Sequence, residues 1–465
     1  MEDADWAITE FGAADLGDKR RTDRLVALAT VLAQRPSASL PAACDDPAML
    51  KGAYRLLENP AIEPTALLAS HVQATLERAQ AVPLVLAVQD TTELDYTGHP
   101  ATTGLGALGS GYGRGILVHS TLAITPDRLP LGLLAQQDWT RDPAETGKKH
   151  RRKQRPIAQK ESQKWLTSLG AVNGWAEECP QTQFVSVGDA EADIYDLFCA
   201  PRAANVALLV RAAYDRLVAP EATEDRLLRG QLAAQPVDWT TTVAVPRKGG
   251  QPARTATVAV RWRAFTLQPP TNRAKEHLPP VTLWALWVRE EAPPAGVEAL
   301  DWLLWTSVPT ADQAAAAERL TWYTCRWGVE VWHHVLKSGC ALESRQLESV
   351  EALRRGLALY SVIAWRILYA TVLARTAPEL PCTVLLAVEE WQALYCAIHK
   401  TPTPPASPPT LHQAVRWLAQ LGGFLGRTSD GEPGAQVLWR GFQRLPDLTL
   451  MFQVMSPSPH PRKCG

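Results

Sequence analysis

Four side chains in the segment TWYTCRWGVEVWHHVLKSG, namely Tyr323, Arg326, Glu330 and Lys337, lie three, four and seven residues apart. On a regular α-helix, at about 100° per residue, they point within roughly 60° of one another. One face then presents a phenol, a guanidinium, a carboxylate and an ammonium. A core-facing stripe excludes three charges, and a solvated face has no need of that order. A site that grips phosphates while holding a metal ion uses all four. Arg offers a planar fork, Lys a compact point charge, and Glu a hard oxygen ligand.

Two more carboxylates complete such a site. Asp90 follows the apolar, β-prone run Leu84-Val85-Leu86-Ala87-Val88, and Asp189 follows Phe184-Val185-Ser186-Val187-Gly188. Both are read as standing where a strand stops, because rigid strands hold functional groups there while loops leave them open. With Glu330 they form an oxygen donor set suited to Mg²⁺ or Mn²⁺. Two such ions activate a water or a 3′-hydroxyl and steady the leaving oxygen of a phosphodiester. Taken singly, an Asp after a strand is more often a turn or helix cap. Glu191 and Asp193, in DAEAD, read as caps or orienting groups, and His119, in LVHSTL, as a satisfied core histidine. His333 and His334 lack spaced carboxylate or Cys partners for zinc and read as structural.

Periodicity supplies the elements that must position these groups. Residues 1 to about 70 look helical, with Asp18 capping a helix whose first turns carry Lys19, Arg20, Arg21 and Arg24. That basic face suits DNA and equally suits an ordinary amphipathic surface helix. From residue 84 short apolar strands (84–88, 116–124, 131–136, 184–187 and 206–211) alternate with helices (159–169 and 191–197), as in an α/β core. Candidate strands at 240–245, 255–267 and 281–288 form a β-rich insertion between about 215 and 300. The strand at 302–306 resumes the core, and helical periodicity runs from 311 to 375. Beyond Pro381 come candidate helices at 384–399, 410–421 and 434–446, the first two joined by the Pro-rich run 401–410.

Composition narrows the partners. The 465 residues carry a net charge of −1, so bulk electrostatics announce no nucleic acid and any DNA contact depends on local patches. The densest run, residues 147–155 (GKKHRRKQR), is a solvated loop or a phosphate-binding patch. Eight scattered cysteines without a C-x-x-C pair read as reduced thiols. The acidic start MEDADWAITEFG has no apolar leader, and the apolar run 356–374 is interrupted by Arg366, so a buried helix and a cytoplasmic protein are expected.

Asp90 in VQDTTELDY, Asp189 in GDAEADIYD and the pattern Y-x2-R-x3-E-x6-K from Tyr323 to Lys337 together resemble the DDE transposases of bacterial insertion sequences, most closely the IS-four family. ADWAITEFGAADLGDKRRTDRL and KGAYRLLENP are similar to that family's N-terminal DNA-binding region, and LGGFLGRTSDGEPGAQVLWRGFQRL to its C-terminal part. The resemblance implies a ribonuclease-H-like, retroviral integrase-like core at 71–380, carrying the β-rich insertion. A helical DNA-binding domain at 1–70 and a helical dimerisation domain at 381–465 would flank it. It implies a homodimer acting on double-stranded DNA by nicking, hairpin formation, hairpin resolution and strand transfer, at the nucleoid and without a membrane. Asp90, Asp189 and Glu330 would hold two Mg²⁺ or Mn²⁺ ions. Tyr323, Arg326 and Lys337 would grip phosphates near the cut end, with Arg20, Arg21 and Arg24 contacting DNA. Trp302 matches the family's base-stacking tryptophan, although DWLLWTS also reads as a core strand, and Arg211 matches a DNA-contacting arginine. Val331 departs from the pattern by standing where the best-known member has a second acid. The alternative is a catalytically silent protein that binds transposon ends.

Overall fold

The computed structural model describes residues 6–44, 46–109, 112–142, 155–219, 223–245 and 252–455. Of the basic run only Arg155 is among them; residues 147–154 lie outside the described residues. The N-terminal helices are α1 (Trp6–Phe11), α2 (Lys19–Gln34), α3 (Leu40–Ala43), α4 (Pro47–Leu57) and α5 (Pro64–Gln80). The core follows with β1 (Leu84–Asp95), β2 (Gly106–Ala107), β3 (Arg114–Ile124), β4 (Pro130–Trp139), α6 (Gln163–Glu178), β5 (Gln183–Gly188), α7 (Tyr195–Cys199) and β6 (Val206–Arg211). After α8 (Leu228–Ala233) come β7 (Trp239–Val245), β8 (Arg254–Leu267), β9 (Val281–Arg289) and β10 (Asp301–Thr306). Helices α9 (Gln313–Cys325), α10 (Trp327–His334), α11 (Val350–Thr376), α12 (Val388–His399), α13 (Leu411–Leu421) and α14 (Ala435–Met455) complete the chain.

Among the described residues the strands form one ten-stranded sheet, ordered β2-β3-β1-β5-β6-β10-β9-β8-β7, with β4 also paired to β3. In the centre β4, β3 and β1 are successively antiparallel, while β1, β5 and β6 are parallel. Strand β10 runs antiparallel to both β6 and β9, so the insertion prolongs the core sheet. The parallel strands are apolar on both faces, as burial between helix layers requires. Val85 and Ala87 of β1 pack with α6 residues Trp165 and Leu169, while Leu86 and Val88 pack on the opposite face with α10 and α11. Helix α11, apolar and long enough to cross a membrane, is the central buried helix of that second layer.

Three local differences from the sequence reading matter for function. Strand β1 continues past Val88 to Asp95, so Asp90 lies inside a strand and not at its end. The DTTELD continuation is polar because parallel pairing to β5 ends at Val88↔Val187, leaving only β3 alongside. The expected helix over 191–197 is split into a 3₁₀ turn (Ala190–Ala192) and α7. The helix expected through Tyr323–Lys337 is interrupted at Arg326 and ends in a π turn, Val335–Gly339, where Cys340 N–H reaches the Val335 carbonyl at 2.8 Å. A π turn inserts a residue into the helical repeat and is frequent at functional sites. Gly339 permits this one to lie against α14, since a Cβ there would stand 2.8 Å from the Trp439 ring.

The N-terminal helices are fastened to the sheet by buried charge. Glu10 of α1 accepts from His71 Nδ1 at 2.5 Å and from Arg78 Nη1 at 2.8 Å, both on α5. His71 Nε2 accepts from the Leu133 N–H of β4 at 3.0 Å, which leaves the ring proton on Nδ1, facing Glu10. Arg78 Nε donates to the Leu131 carbonyl of the same strand at 2.6 Å.

Candidate active site

The site forms where the sheet parts. Beyond Val88↔Val187, β1 runs on while β5 ends at Gly188, and Asp189 caps the 3₁₀ turn by accepting from Glu191 N–H at 2.9 Å. Asp90 and Asp189 lie in register with Leu86, Val88, Val185 and Val187, so both carboxylates look toward the α10 layer. Asp90 keeps one oxygen on its neighbour, with Thr91 N–H to Oδ1 at 2.8 Å.

Helix α10 provides the opposing wall. It buries Val329, Trp332 and His333 against the sheet and α11, with Trp332 Nε1 bonded to the Ser361 carbonyl at 3.2 Å. Truncating a fully buried Trp of this kind costs about 3–5 kcal/mol. Gly328 lets the helix approach closely, since a Cβ there would meet Ile124 Cδ1 at 2.5 Å. With that face pinned, Glu330 projects outward, half exposed. Arg326, 9% exposed, lies between the carboxylates, with Nη2 2.6 Å from Glu330 Oε1 and Nη1 3.7 Å from Asp90 Oδ2.

Burial is the main cause raising the Asp90 carboxyl to about 6. The Thr91 N–H and Arg326 oppose the rise, and the negative neighbours Asp189 and Glu330 add to it. Asp189 is raised as well, again chiefly by burial, against the pull of Glu191 N–H and Arg326. Burial raises the Tyr323 phenol too, so it stays a neutral donor. Asp90, Asp189 and Glu330 all lie close enough to one guanidinium to feel its charge, and they are hard oxygen donors of the type divalent cations take, with no soft ligand beside them. Among the described residues no three His, Cys, Asp or Glu side chains converge at ligating distance. In this conformation Glu330 is turned to Arg326.

Tyr323, Arg326 and Glu330 thus share one environment, and Lys337 does not share it as a regular helix would require. Its Nζ is 2.8 Å from the Glu93 carbonyl and 3.0 Å from Glu343 Oε1, further along β1. Arg211 pairs in register with Leu304 on the active face, close enough to Tyr323 to oppose the burial-driven rise of its pKa. Trp302 is 8% exposed, edge-on to Tyr323 at 5.5 Å and to Trp327 at 6.0 Å. It is a core strand Trp beneath the site in this conformation.

Two segments, one toward each end of the chain, match known families. Residues 3–62 match the family model Transposase DNA-binding, and residues 362–450 match the Transposase Tn5 dimerisation domain. Together the two matches support a Tn5-like transposase. In the transposase's DNA-binding segment, α2 buries Thr22, Leu25, Leu28, Ala29, Leu32 and Ala33 and turns Lys19, Arg20 and Arg24 outward. Asp18 caps the helix as the sequence suggested, accepting from Arg20 N–H at 2.9 Å and from its guanidinium at 2.8 Å. Arg21 is engaged with the Leu16 carbonyl at 2.9 Å. Helix α14 enters the dimerisation segment and runs on past its end at residue 450, leaving Leu450 and, just beyond, Met451, Val454 and Met455 more than half exposed, an apolar surface of the kind that interfaces bury.

Several neighbours of the transposase's site escape a reading based on charged motifs. Asp193, read as an orienting group, anchors the turn after β6 by accepting from Ala213 N–H, Tyr214 N–H and Arg216 Nε at 2.7–3.0 Å. Lys164 bonds Glu191 at 2.9 Å behind Asp189. Gln89 and Thr91 both bond His119, and Gln89 also bonds Ser186, so that histidine is satisfied and buried as read. The signal for this last group was a polar residue set into each of two apolar strand runs, LVLAVQ and FVSV.

Proposed function

We propose that this transposase is a catalytically competent, metal-dependent DDE enzyme that cuts and rejoins phosphodiesters at the ends of its element. The observation carrying the proposal is the meeting of Asp90 and Asp189 at the parting of β1 and β5, opposite Glu330 of α10 and Arg326 at its start. The strand sequence β4-β3-β1-β5-β6, antiparallel on one side of β1 and parallel on the other, supports a ribonuclease-H-like core. Asp90, Asp189 and Glu330 would hold Mg²⁺ or Mn²⁺. Bound ions supply Lewis acidity and lower the pKa of an attacking water or 3′-hydroxyl.

The remaining groups act on the DNA. Arg326 exchanges its carboxylate partners for a phosphate, freeing Glu330 to turn toward Asp90 and Asp189. Tyr323, kept protonated by burial, donates to the same backbone. Arg211 and Lys337 hold phosphates on either side of the cut. Trp302 lies ready to stack an extruded base once Tyr323 and Trp327 separate from it, a contact of roughly 1–3 kcal/mol. Two protomers joined through residues 362–450 would pair the two ends, and the DNA substrate places the enzyme in the cytoplasm at the nucleoid.

The test is supercoiled donor DNA bearing the element's own ends, incubated with Mg²⁺. Wild type releases linear element; Glu330→Ala retains end binding and loses cleavage by at least about a thousandfold, on the scale of a lost transition-state interaction. A Glu330→Ala variant that cuts like wild type defeats the assignment. Footprints on the ends without cleavage by wild type would mark a silent end-binding protein.

A further inference from the structure

On the face of the sheet turned away from Asp90 a chain of side-chain hydrogen bonds crosses three strands at the level of that carboxylate. Gln89 Nε2 of β1 donates to Ser186 Oγ of β5 at 2.7 Å. Gln89 Oε1 accepts from His119 Nε2 of β3 at 3.3 Å, and His119 Nδ1 accepts from Thr91 Oγ1 of β1 at 2.9 Å. The carbonyl oxygen facing Nε2 sets the tautomer, so every bond in the chain has one donor and one acceptor. His119 is 0%, Gln89 1% and Ser186 4% exposed, and the His119 ring is held edge-on at 4.6 Å from Trp165 of α6.

Such a network is an expensive way to fill a core. Each buried polar group forfeits hydration, and apolar side chains of similar volume would stabilise the sheet as well or better. Its location supplies another reason. Backbone pairing between β1 and β5 stops at Val88↔Val187, one residue before Asp90's neighbour Gln89 and two before Asp189. The Gln89–Ser186 bond ties the first β1 residue past the ladder back to a β5 residue still within it, where Ser186 pairs with Ala87. Gln89 and Thr91 are the residues on either side of Asp90, and both are bonded to one imidazole.

We propose that His119 is a positioning residue for the metal-holding carboxylates: through Gln89 and Thr91 it fixes the backbone on both sides of Asp90, and through Ser186 it fixes the distance to Asp189. The inference rests on the reading of Asp90 and Asp189 given above. His119 touches neither DNA nor metal and stays uncharged, since burial pushes its pKa to about 3. It acts by geometry alone, as groups behind metal ligands do, where loss typically costs about 10–100-fold in metal affinity or activity.

The test uses the full-length transposase with Mn²⁺ as probe. His119→Leu, His119→Asn, Thr91→Val and Asp90→Asn are compared with wild type in three measurements: Mn²⁺ affinity by electron paramagnetic resonance, end binding, and single-turnover cleavage. His119→Leu and Thr91→Val should bind ends within twofold of wild type, yet lose Mn²⁺ affinity and cleavage by about 10–100-fold. His119→Asn, which keeps an acceptor for Thr91, should recover part of both. Should His119→Leu fail to fold, Thr91→Val alone decides. The proposal is overturned if Thr91→Val, and any folded His119→Leu, bind Mn²⁺ and cleave within twofold of wild type while Asp90→Asn is inactive. If Asp90→Asn itself cleaves normally, the fault lies with the carboxylate assignment.

Discussion

Replacing Asp90 by Asn should make the metal-free protein more stable. In the fold the Asp90 carboxyl has a pKa of about 6, against an ordinary value of 3.8, with burial as the leading cause. The sign follows from linkage. A carboxyl whose folded pKa lies above its unfolded one binds its proton more tightly in the folded state, so stability falls as pH rises through the interval between the two values. At about 1.4 kcal/mol per pH unit, the ionised carboxylate costs up to about 3 kcal/mol above pH 6 and nothing below pH 4. Asn keeps an acceptor for the Thr91 N–H and gives up only the 3.7 Å attraction to Arg326. Since 1 kcal/mol moves the melting point of a 150–250-residue unit by roughly 2–4 °C, calorimetry in EDTA at pH 7.5 should find Asp90→Asn melting several degrees above wild type. The gap should narrow as pH falls through 6 and vanish near pH 4. Mg²⁺ should raise the wild-type melting point at pH 7.5 and leave the variant unmoved. An Asn variant that melts at or below wild type in EDTA at pH 7.5 would refute the idea that the site stores uncompensated negative charge.

Two further outcomes concern other parts of the molecule. Replacing Arg20, Arg21 and Arg24 together by Ala should weaken end binding and make the slope of log affinity against log salt shallower by about 2–3, one phosphate contact per arginine, measurable by anisotropy titration. Gly132→Ala should destabilise by about 2 kcal/mol or more in denaturant titrations, because φ is +147° and the added Cβ would meet Thr75 Oγ1 at 1.9 Å.

The strands were legible because their apolar runs are short, β-branched and bounded by turn residues, and even the β insertion could be read from such runs and the turns between them. Asp90 was misplaced for a reason inherent in that method. Polarity within DTTELD suggests a strand's end, whereas here it marks the end of the neighbouring strand, a fact about pairing that no single segment contains. The helix face of Tyr323, Arg326 and Glu330 could be read because Val329, Trp332 and His333 enforce the opposite stripe. Lys337 departed from it because the π turn depends on Gly339 meeting Trp439, a hundred residues away. Trp302 could not be resolved between stacking platform and core filler, since both roles ask for an aromatic on an apolar strand. The matched terminal segments, by contrast, carry their identity in local sequence.

The clasp of Glu10, His71 and Arg78 gives the molecule a sense of length. Helix α1 is fixed to β4, and only residues 12–18 separate it from the helix that carries Arg20 and Arg24. DNA gripped by α2, as the proposed function has it, would therefore be held at a set reach and rotation from the sheet that carries Asp90. One added base pair advances a duplex by about 3.4 Å and turns it by about 35°. A short tether leaves little slack to absorb that, so under the proposed function the protein would work as a gauge, judging an end by how far the cut lies from the grip as well as by which bases are gripped.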